Sequence, residues 1–158
     1  MAENKLANLH NIHFIGIGGA GMSAIAYVLI KRGYDVSGSD LNAGHMSAHL
    51  AEEGAMVYMG HAASQVEDAE AVVISTAIPP NNPERVEARK RGIPVLHRSD
   101  VLAAVMNAAD GVAVAGAPGK TTTSAMISCI AASSGIDPTD SIGGEVSSLG
   151  GNARNGAG

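Results

Sequence analysis

The stretch HFIGIGGAGMSAIA, residues 13–26, constrains the fold of this chain more than any other. Gly16, Gly18 and Gly21 satisfy the pattern G-x-G-x-x-G directly after the apolar run 12–17. The apolar residues that follow have the spacing of one helix face, and they are Met22, Ile25, Ala26 and Leu29. A glycine-rich turn between a strand and a helix predicts the opening unit of a parallel α/β domain that binds a diphosphate at the helix N-terminus.

The rest of the chain repeats this alternation of short apolar runs and helical patterns, which is typical of a parallel sheet with flanking helices. The other predicted strands are 34–38, 55–59, 71–76, 93–97 and 112–115. The charged stretch 84–91 predicts a helix that is exposed on its outer side. We expect a domain boundary after the amphipathic stretch 101–106, which divides the chain into residues 1–108 and 109–158. The glycine-rich tail from Gly143 predicts a loop or a disordered end.

Two polar residues follow strands at the edge where ligands bind in such sheets. Asp40 comes after the second predicted strand, nineteen residues beyond Gly21, and is placed to reach a ribose or a base. His61 comes after the third, where a binding histidine and a plain loop histidine are equally compatible with the sequence. The glycine pattern alone does not distinguish NAD from another diphosphate ligand, or from a turn needed only for close packing.

A second glycine-rich loop lies in AGAPGKTTTSAMISCI, residues 115–130. Its first glycine, Gly116, comes two residues later than in G-x-x-x-x-G-K-[ST], where this chain has Val114. In a strand–turn–helix context the backbone N–H groups would hold the β- and γ-phosphates of a nucleotide. Lys120 would neutralise their charge, and the Thr121 hydroxyl would reach Mg²⁺. The predicted buried face of the following helix contains Thr123, Met126, Ile127, Ile130 and Ala131.

Composition excludes several classes of function. Ten Lys and Arg against fifteen Asp and Glu give a net charge of −5, which disfavours a nucleic-acid surface. No apolar run approaches the roughly 18 residues of a membrane span. The single cysteine, Cys129, and the polar N-terminus fit a cytoplasmic protein.

His45 and His49 have the i, i+4 spacing of a metal pair, but without a third ligand a solvated pair on a helix is favoured.

Two different nucleotide loops about 100 residues apart predict a two-substrate enzyme, and here the sequence resembles the Mur ligase family of peptidoglycan synthesis, in particular its alanine-adding members. The matching stretches, in the family's order, are IHFIGIGGAGMSAIA, VSGSD, STAIPPNNPE, GIPVLHRSDVLA, VAVAGAPGKTTTSAM and IGGEVSSLGGNARNGAG. The resemblance implies a Rossmann-like UDP-binding domain followed by the start of a P-loop ATPase domain. It also accounts for the short loop, because the family carries G-x-x-G-K-[ST]-T.

The resemblance also implies substrates and site residues. The substrates are UDP-N-acetylmuramate, ATP and L-alanine, with Mg²⁺ as cofactor, and the carboxylate is activated as an acyl phosphate before the amine attacks. Asp40 would contact the uridine end, with His61 at the same edge. The diphosphate would lie on Gly18, Gly19, Ala20 and Gly21, and the cleft would be lined by Ser75, Thr76, Ala77 and Ile78. ATP would be held by Gly116, Ala117, Pro118, Gly119, Lys120, Thr121 and Thr122, with Lys120 and Thr121 catalytic and Thr121 on the metal.

The chain departs from the family pattern in two ways. Ala117 and Pro118 replace the usual Thr-His, which removes a hydroxyl and a backbone N–H and predicts weaker ATP binding. Family members also continue for several hundred residues, so we expect this chain to be the first domain and the opening of the second, binding the UDP-sugar without turnover. The alternatives are an NAD-binding oxidoreductase domain, a small P-loop kinase or partitioning ATPase, an interaction module, and the family's murein-peptide recycling ligase.

Overall fold

A computed structural model describes residues 6–42, 44–147 and 150–157 of the chain. The elements are β1 (Asn11–Ile15), α1 (Ala20–Lys31), β2 (Asp35–Asp40), α2 (His45–Glu52), β3 (Met56–Met59), a 3₁₀ turn (Ala63–Val66), β4 (Ala71–Ile74), α3 (Pro83–Arg91), β5 (Val95–His97), α4 (Arg98–Met106), α5 (Lys120–Ser133), β6 (Asp140–Val146) and β7 (Gly151–Arg154). No helix within these described ranges is both long and apolar enough to cross a membrane.

The first five strands form one parallel sheet in the order β3-β2-β1-β4-β5. This is the order of the first five strands of a Rossmann sheet, so the predicted fold class is confirmed. The two strands in the middle of the sheet that border each other, β1 and β4, are the ones with buried apolar runs, as in the fully buried AVVI of β4. The predicted strand positions agree with the observed ones to within about two residues at most ends.

The two faces of the sheet are covered by different helices. On one face Phe14 packs with α1, α2 and α4, and the predicted stripe of α1 is buried in this core. On the other face Ile15 packs with Ala88 of α3 and Val66 of the 3₁₀ turn. Because successive residues of β1 point to opposite faces, His13 lies on the α3 side, where it is fully buried.

Three sequence predictions about the second half are wrong. Residues 112–115 are not a strand, because no described segment lies alongside them to complete a ladder. The predicted buried face of α5 is largely exposed, with Met126 at 54% and Ile130 at 70%, because no described element covers it. The tail is not all loop, since β6 and β7 form an antiparallel hairpin.

The hairpin is held by long-range contacts with α1. The side-chain amide of Asn152 donates to the carbonyl of Ala20 at 2.8 Å and to the hydroxyl of Ser23 at 3.0 Å. Ala153 packs against the core on this side of the sheet, and Ile142 is buried. The tail is therefore attached to the first turn of the helix that follows the glycine-rich turn. The division at residues 108 and 109 remains a prediction.

Candidate nucleotide-binding site

The sheet order creates a crevice at the carboxyl ends of β1 and β4. From β1 the sheet continues through β2 to β3 on one side and through β4 to β5 on the other. In such sheets the connections leave β1 and β4 toward opposite faces, which opens a cleft above their carboxyl ends. The turn 16–19 follows β1, and the predicted cleft residues 75–78 follow β4, so both border this crevice.

The glycine-rich turn is held by backbone hydrogen bonds to β2. The N–H groups of Gly16 and Ile17 donate to the carbonyl of Ser39 at 2.7 and 3.0 Å. Gly16 has a φ of +81°, a conformation that a side chain disfavours. The N–H groups of Ala20 and Gly21, in the first turn of α1, have no intramolecular acceptor within the described ranges. Two donors at the positive end of a helix are therefore available for an anion.

Asp40 lies beside this turn and is already engaged with it. Its Oδ2 accepts the N–H of Gly18 at 2.9 Å, and its Oδ1 accepts the N–H of Asn42 at 3.2 Å. A Cβ on Gly18 would lie 3.0 Å from that Oδ2, so the close approach favours glycine. Asp40 therefore fixes the turn directly, a role that the sequence spacing did not indicate. Each carboxylate oxygen keeps a lone pair for a ligand hydroxyl.

Arg98 is a residue that sequence reasoning missed. It is the first residue of α4, directly after β5, and it is exposed. A Cβ added to Gly21 would lie only 2.4 Å from its Nη1, so the guanidinium covers the first turn of α1. The sequence feature that indicates a binding role is its position at the carboxyl end of a predicted strand, in GIPVLHRSDVLA. The arrangement joins one cation to two free N–H groups, which suits a diphosphate.

The loop after β4 closes the other side of the crevice. Arg85 Nη1 donates to the carbonyl of Ile78 at 2.8 Å. Ile78 in turn lies over the glycine-rich turn, with its Cδ1 3.3 Å from the position of a Cβ on Gly16. Thr76 and Ala77 are exposed, and Ser75 accepts the N–H of Ala77 through its Oγ. The structure thus brings these predicted cleft residues next to the turn.

The helix predicted over 84–91 is present as α3 and is exposed on its outer side, but the carboxylate of Glu84 at its start is fully buried among polar partners. Its Oε2 lies 2.6 Å from His13 Nε2 and accepts the Ser39 hydroxyl at 2.8 Å. Its Oε1 lies 2.6 Å from His61 Nδ1. We call Glu84, His13, Ser39 and His61 the buried polar cluster. His61, whose side chain is 15% exposed, is the member that reaches the ligand edge.

The second loop precedes α5 and has the backbone that its glycines predict. Gly116 and Gly119 have φ values of +133° and +105°. The Lys120 ammonium donates to the carbonyls of Gly116 and Ala117 at 2.8 and 2.9 Å. Pro118 contributes no N–H, whereas those of Thr121 and Thr122 have no intramolecular acceptor within the described ranges. The residues present therefore fit a polyphosphate at the start of α5.

The i, i+4 histidine pair lies on α2, as predicted. His49 stacks on Tyr27 with a centroid distance of 5.8 Å, and its Nδ1 lies 3.9 Å from a Glu52 oxygen. No cluster of three or more His, Cys, Asp or Glu side chains among the described residues could hold a metal ion. A cavity between α1, α2 and β7 is lined by these histidines and by Asn152, among other residues.

Comparison with known proteins agrees with this arrangement. The family described as "Mur ligase family, catalytic domain" matches residues 11–110. The UDP-N-acetylmuramate–L-alanine ligase of Pelotomaculum thermopropionicum is 53% identical over 148 residues, which are 94% of this chain and 32% of that protein. The crystal structure of UDP-N-acetylmuramate-alanine ligase from Thermotoga maritima superimposes with a TM-score of 0.89 at 35% identity, over 94% of this chain and 35% of that one.

A murein peptide ligase structure from Neisseria meningitides, UDP-N-acetylmuramate:L-alanyl-gamma-D-glutamyl-meso-diaminopimelate ligase, is also similar. It has a TM-score of 0.86 and 31% identity, over 93% of this chain and 47% of that one. The chain spans about a third of the length of the curated alanine ligases that it matches. The family match covers well over half of the chain, and the structural matches reproduce its fold. The chain therefore belongs to the Mur ligase family.

Proposed function

We propose that this chain binds the uridine diphosphate part of UDP-N-acetylmuramate at the carboxyl edge of the sheet. The observation that carries the proposal is the first turn of α1, where two free N–H groups lie under the guanidinium of Arg98. This arrangement provides donors and positive charge for the two phosphates. Its position at the crevice between β1 and β4 leaves the nucleoside and the sugar room on either side.

Each predicted substrate residue receives a role in this proposal. Ala20 and Gly21 donate N–H groups to the diphosphate, and Gly18 and Gly19 allow its close approach because they have no side chain. Asp40 contacts the uridine end through its remaining lone pairs, and His61 lies on the same side. The loop that lines the cleft consists of Ser75, Thr76, Ala77 and Ile78.

The whole ligase would join L-alanine to UDP-N-acetylmuramate in peptidoglycan synthesis, and we propose that it does so in the cytoplasm. Both the alanine ligases and the murein peptide ligase have UDP-N-acetylmuramate in their names. The proposed UDP site is therefore compatible with either activity. The identity of about 50% to several alanine ligases supports alanine as the amino acid.

ATP and Mg²⁺ would bind at the loop before α5. Gly116, Gly119 and the N–H groups of Thr121 and Thr122 would hold the phosphates, and Lys120 would turn from its own loop carbonyls to them. The Thr121 hydroxyl would be the protein ligand to Mg²⁺. When bound, ATP supplies the phosphoryl group that turns a carboxylate into an electrophile.

Isothermal titration of the 158-residue chain with UDP-N-acetylmuramate, UDP and NAD tests the proposed site. We expect both uridine nucleotides to bind and NAD to give no specific heat. Gly21→Val fills the space beside Arg98 and should weaken UDP binding at least about tenfold, or about 1.4 kcal/mol. Gly44→Val is the control, because Gly44 also lies at the N-terminal end of a helix, directly before α2, but faces open space. Binding of NAD in preference to UDP would refute the proposal.

The substitution of Thr-His by Ala117 and Pro118 gives a separate prediction about ATP. In a full-length ligase that carries this segment, the double reversion Ala117→Thr, Pro118→His restores a hydroxyl and a backbone N–H near the phosphates. We expect ATP to bind at least about tenfold more tightly, since even one hydrogen bond to a charged group contributes about 1.5–3 kcal/mol. Fluorescence titration with an ATP analogue measures the effect. Equal affinities before and after reversion would contradict the prediction.

A further inference from the structure

The buried polar cluster places three possible donors around the two oxygens of one carboxylate, and this geometry constrains the tautomer of His61. Glu84 is in the first turn of α3, where the helix dipole favours a negative charge. Three groups surround its two oxygens, namely His13 Nε2, the Ser39 hydroxyl and His61 Nδ1. An ionised carboxylate only accepts hydrogen bonds, so each of these three groups must donate. Nδ1 of His61 therefore carries a proton.

The other nitrogen of His61 is left for a ligand. Nε2 of His61 has no hydrogen-bond partner within the described ranges, and it is not among the buried polar atoms that lack one. The ring follows β3 at the carboxyl edge, and its Nδ1 is also 2.9 Å from the Ser39 hydroxyl. The carbonyl of the same Ser39 holds the glycine-rich turn. The buried polar cluster therefore connects the position of this ring to the position of the turn.

We propose that Glu84 is a positioning residue, which holds His61 as the Nδ1–H tautomer so that Nε2 accepts a hydrogen bond from the nucleoside of the UDP ligand. This inference rests on the proposed function. A neutral imidazole in this tautomer offers a lone pair at Nε2. It suits a ribose hydroxyl or the imide N–H of uracil, and it does not suit a phosphate oxygen, which needs a donor. The diphosphate is thereby assigned to Arg98 and α1, and the nucleoside to His61.

Two substitutions of His61 test the roles of its two ring nitrogens separately. The amide of His61→Asn reaches the Nδ1 position and keeps the contact with Glu84, whereas His61→Gln reaches the Nε2 position. In titrations with UDP we expect His61→Asn to lose at least tenfold in affinity with little change in Tm. We expect His61→Gln to lose no more than about threefold in affinity but to melt at a lower temperature. A larger loss of affinity in His61→Gln than in His61→Asn would overturn the proposed hydrogen bond between the nucleoside and Nε2.

A double-mutant cycle tests the role of Glu84. The amide N–H₂ of Glu84→Gln can donate to His61 Nδ1 and thereby move the ring proton to Nε2, which should weaken UDP binding several-fold. In a His61→Gln background there is no tautomer to reverse, so Glu84→Gln should leave the affinity unchanged while still lowering Tm. Ser37→Ala is the matched control, because the Ser37 hydroxyl lies 2.8 Å from His13 Nδ1 and has no hydrogen bond to His61 or Glu84 within the described ranges. It should lower Tm without weakening UDP binding.

Equal losses of affinity from Glu84→Gln in both backgrounds would overturn the proposal. The proton position is also measured directly in the unmodified chain by long-range ¹H–¹⁵N correlation of the imidazole nitrogens. We expect His61 in the Nδ1–H form, and finding the Nε2–H form would overturn the proposal even if the Glu84 variant does not fold. Failure of the unmodified chain to bind UDP would instead refute the proposed function, so the two failures are distinguishable.

Discussion

Gly38 shows how one missing side chain shapes the site. It lies on β2 in VSGSD, opposite Phe14 of β1 in the ladder. A Cβ at this position would lie 2.6 Å from Ile17 Cδ1 and 2.7 Å from the carbonyl oxygen of Phe14. Ile17 belongs to the glycine-rich turn, so the absence of a side chain on β2 lets that turn lie directly against the sheet.

We predict that Gly38→Ala destabilises the chain by about 1–3 kcal/mol, because the added methyl group must displace either Ile17 or the β1 backbone. Urea denaturation measures the free energy of unfolding. Gly44→Ala is the control, since Gly44 faces open space and has a negative φ. The same stability for both variants would show that β1, β2 and the turn are not packed as described.

A variant of Arg98 tests whether the positive charge of its guanidinium contributes to binding the diphosphate. We predict that Arg98→Ala weakens UDP binding about tenfold and leaves the weak binding of uridine unchanged, because uridine has no phosphate. The difference should shrink at high salt, since the guanidinium is exposed. Calorimetric titration measures both ligands, with Arg89→Ala, an exposed arginine of α3, as the control. An equal loss for uridine would contradict a contact with the diphosphate.

At the scale of elements, side chains join the ends of strands that are distant in sequence. The Glu70 carboxylate, just before β4, accepts the N–H groups of His10 and Asn11 at the start of β1. The backbone bonds to His10 and then to Asn11 hold the pKa of Glu70 below its usual value of 4.5. A carboxyl whose pKa is lowered by folding stabilises the folded state above that usual value.

This contribution should be lost as the pH falls from about 4.5 through the lowered pKa of Glu70, because the protonated acid no longer attracts both N–H groups. We predict that Tm of the unmodified chain falls in this range more steeply than Tm of Glu70→Gln. Thermal melts followed by circular dichroism between pH 7 and pH 3 measure the difference. Asp68→Asn is the control, an exposed acid two residues away. Parallel curves for all three proteins would contradict the role of Glu70.

Glu87, within α3, is a second carboxyl whose pKa is lowered by hydrogen bonding. The hydrogen bond from Arg91 is the main cause that lowers the pKa of the Glu87 carboxyl, and the same contact raises the pKa of Arg91. The Glu87 side chain keeps 16% of its surface exposed and pairs with the half-exposed Arg91. Glu84, one helical turn earlier, is fully buried among histidines. The two acids of this helix therefore differ in burial and in the partners that they bind.

At the scale of the whole molecule, the sequence predicts what depends on local patterns. The five strands of the sheet and the stripe of α1 are confirmed because apolar periodicity is repeated over neighbouring residues. The strand at 112–115 fails because a strand also needs a neighbour, which no local pattern provides. The hairpin of the tail was missed for a related reason, since Asn152 and Ile142 are fixed by contacts with distant elements.

The candidate site was predictable where glycine patterns and strand ends define it. The turn 16–19 follows β1 and the loop 75–78 follows β4, so both lie at the same edge of the sheet. Glu84 could not be assigned, because its burial depends on His13, 71 residues away in the chain. Arg98 was missed because an arginine at a helix start is usually solvated, and only the fold brings it over Gly21.

We have proposed that the crevice between β1 and β4 binds the UDP part of UDP-N-acetylmuramate. The most direct measurement is a titration of the ¹⁵N-labelled chain with this ligand, followed by amide chemical shifts. We expect the largest changes at Ala20 and Gly21 and in the loop 75–78, with smaller changes at 116–122. The proposed site would be contradicted if the largest changes occurred at 116–122. It would also be contradicted if the glycine-rich turn showed no changes at saturating ligand.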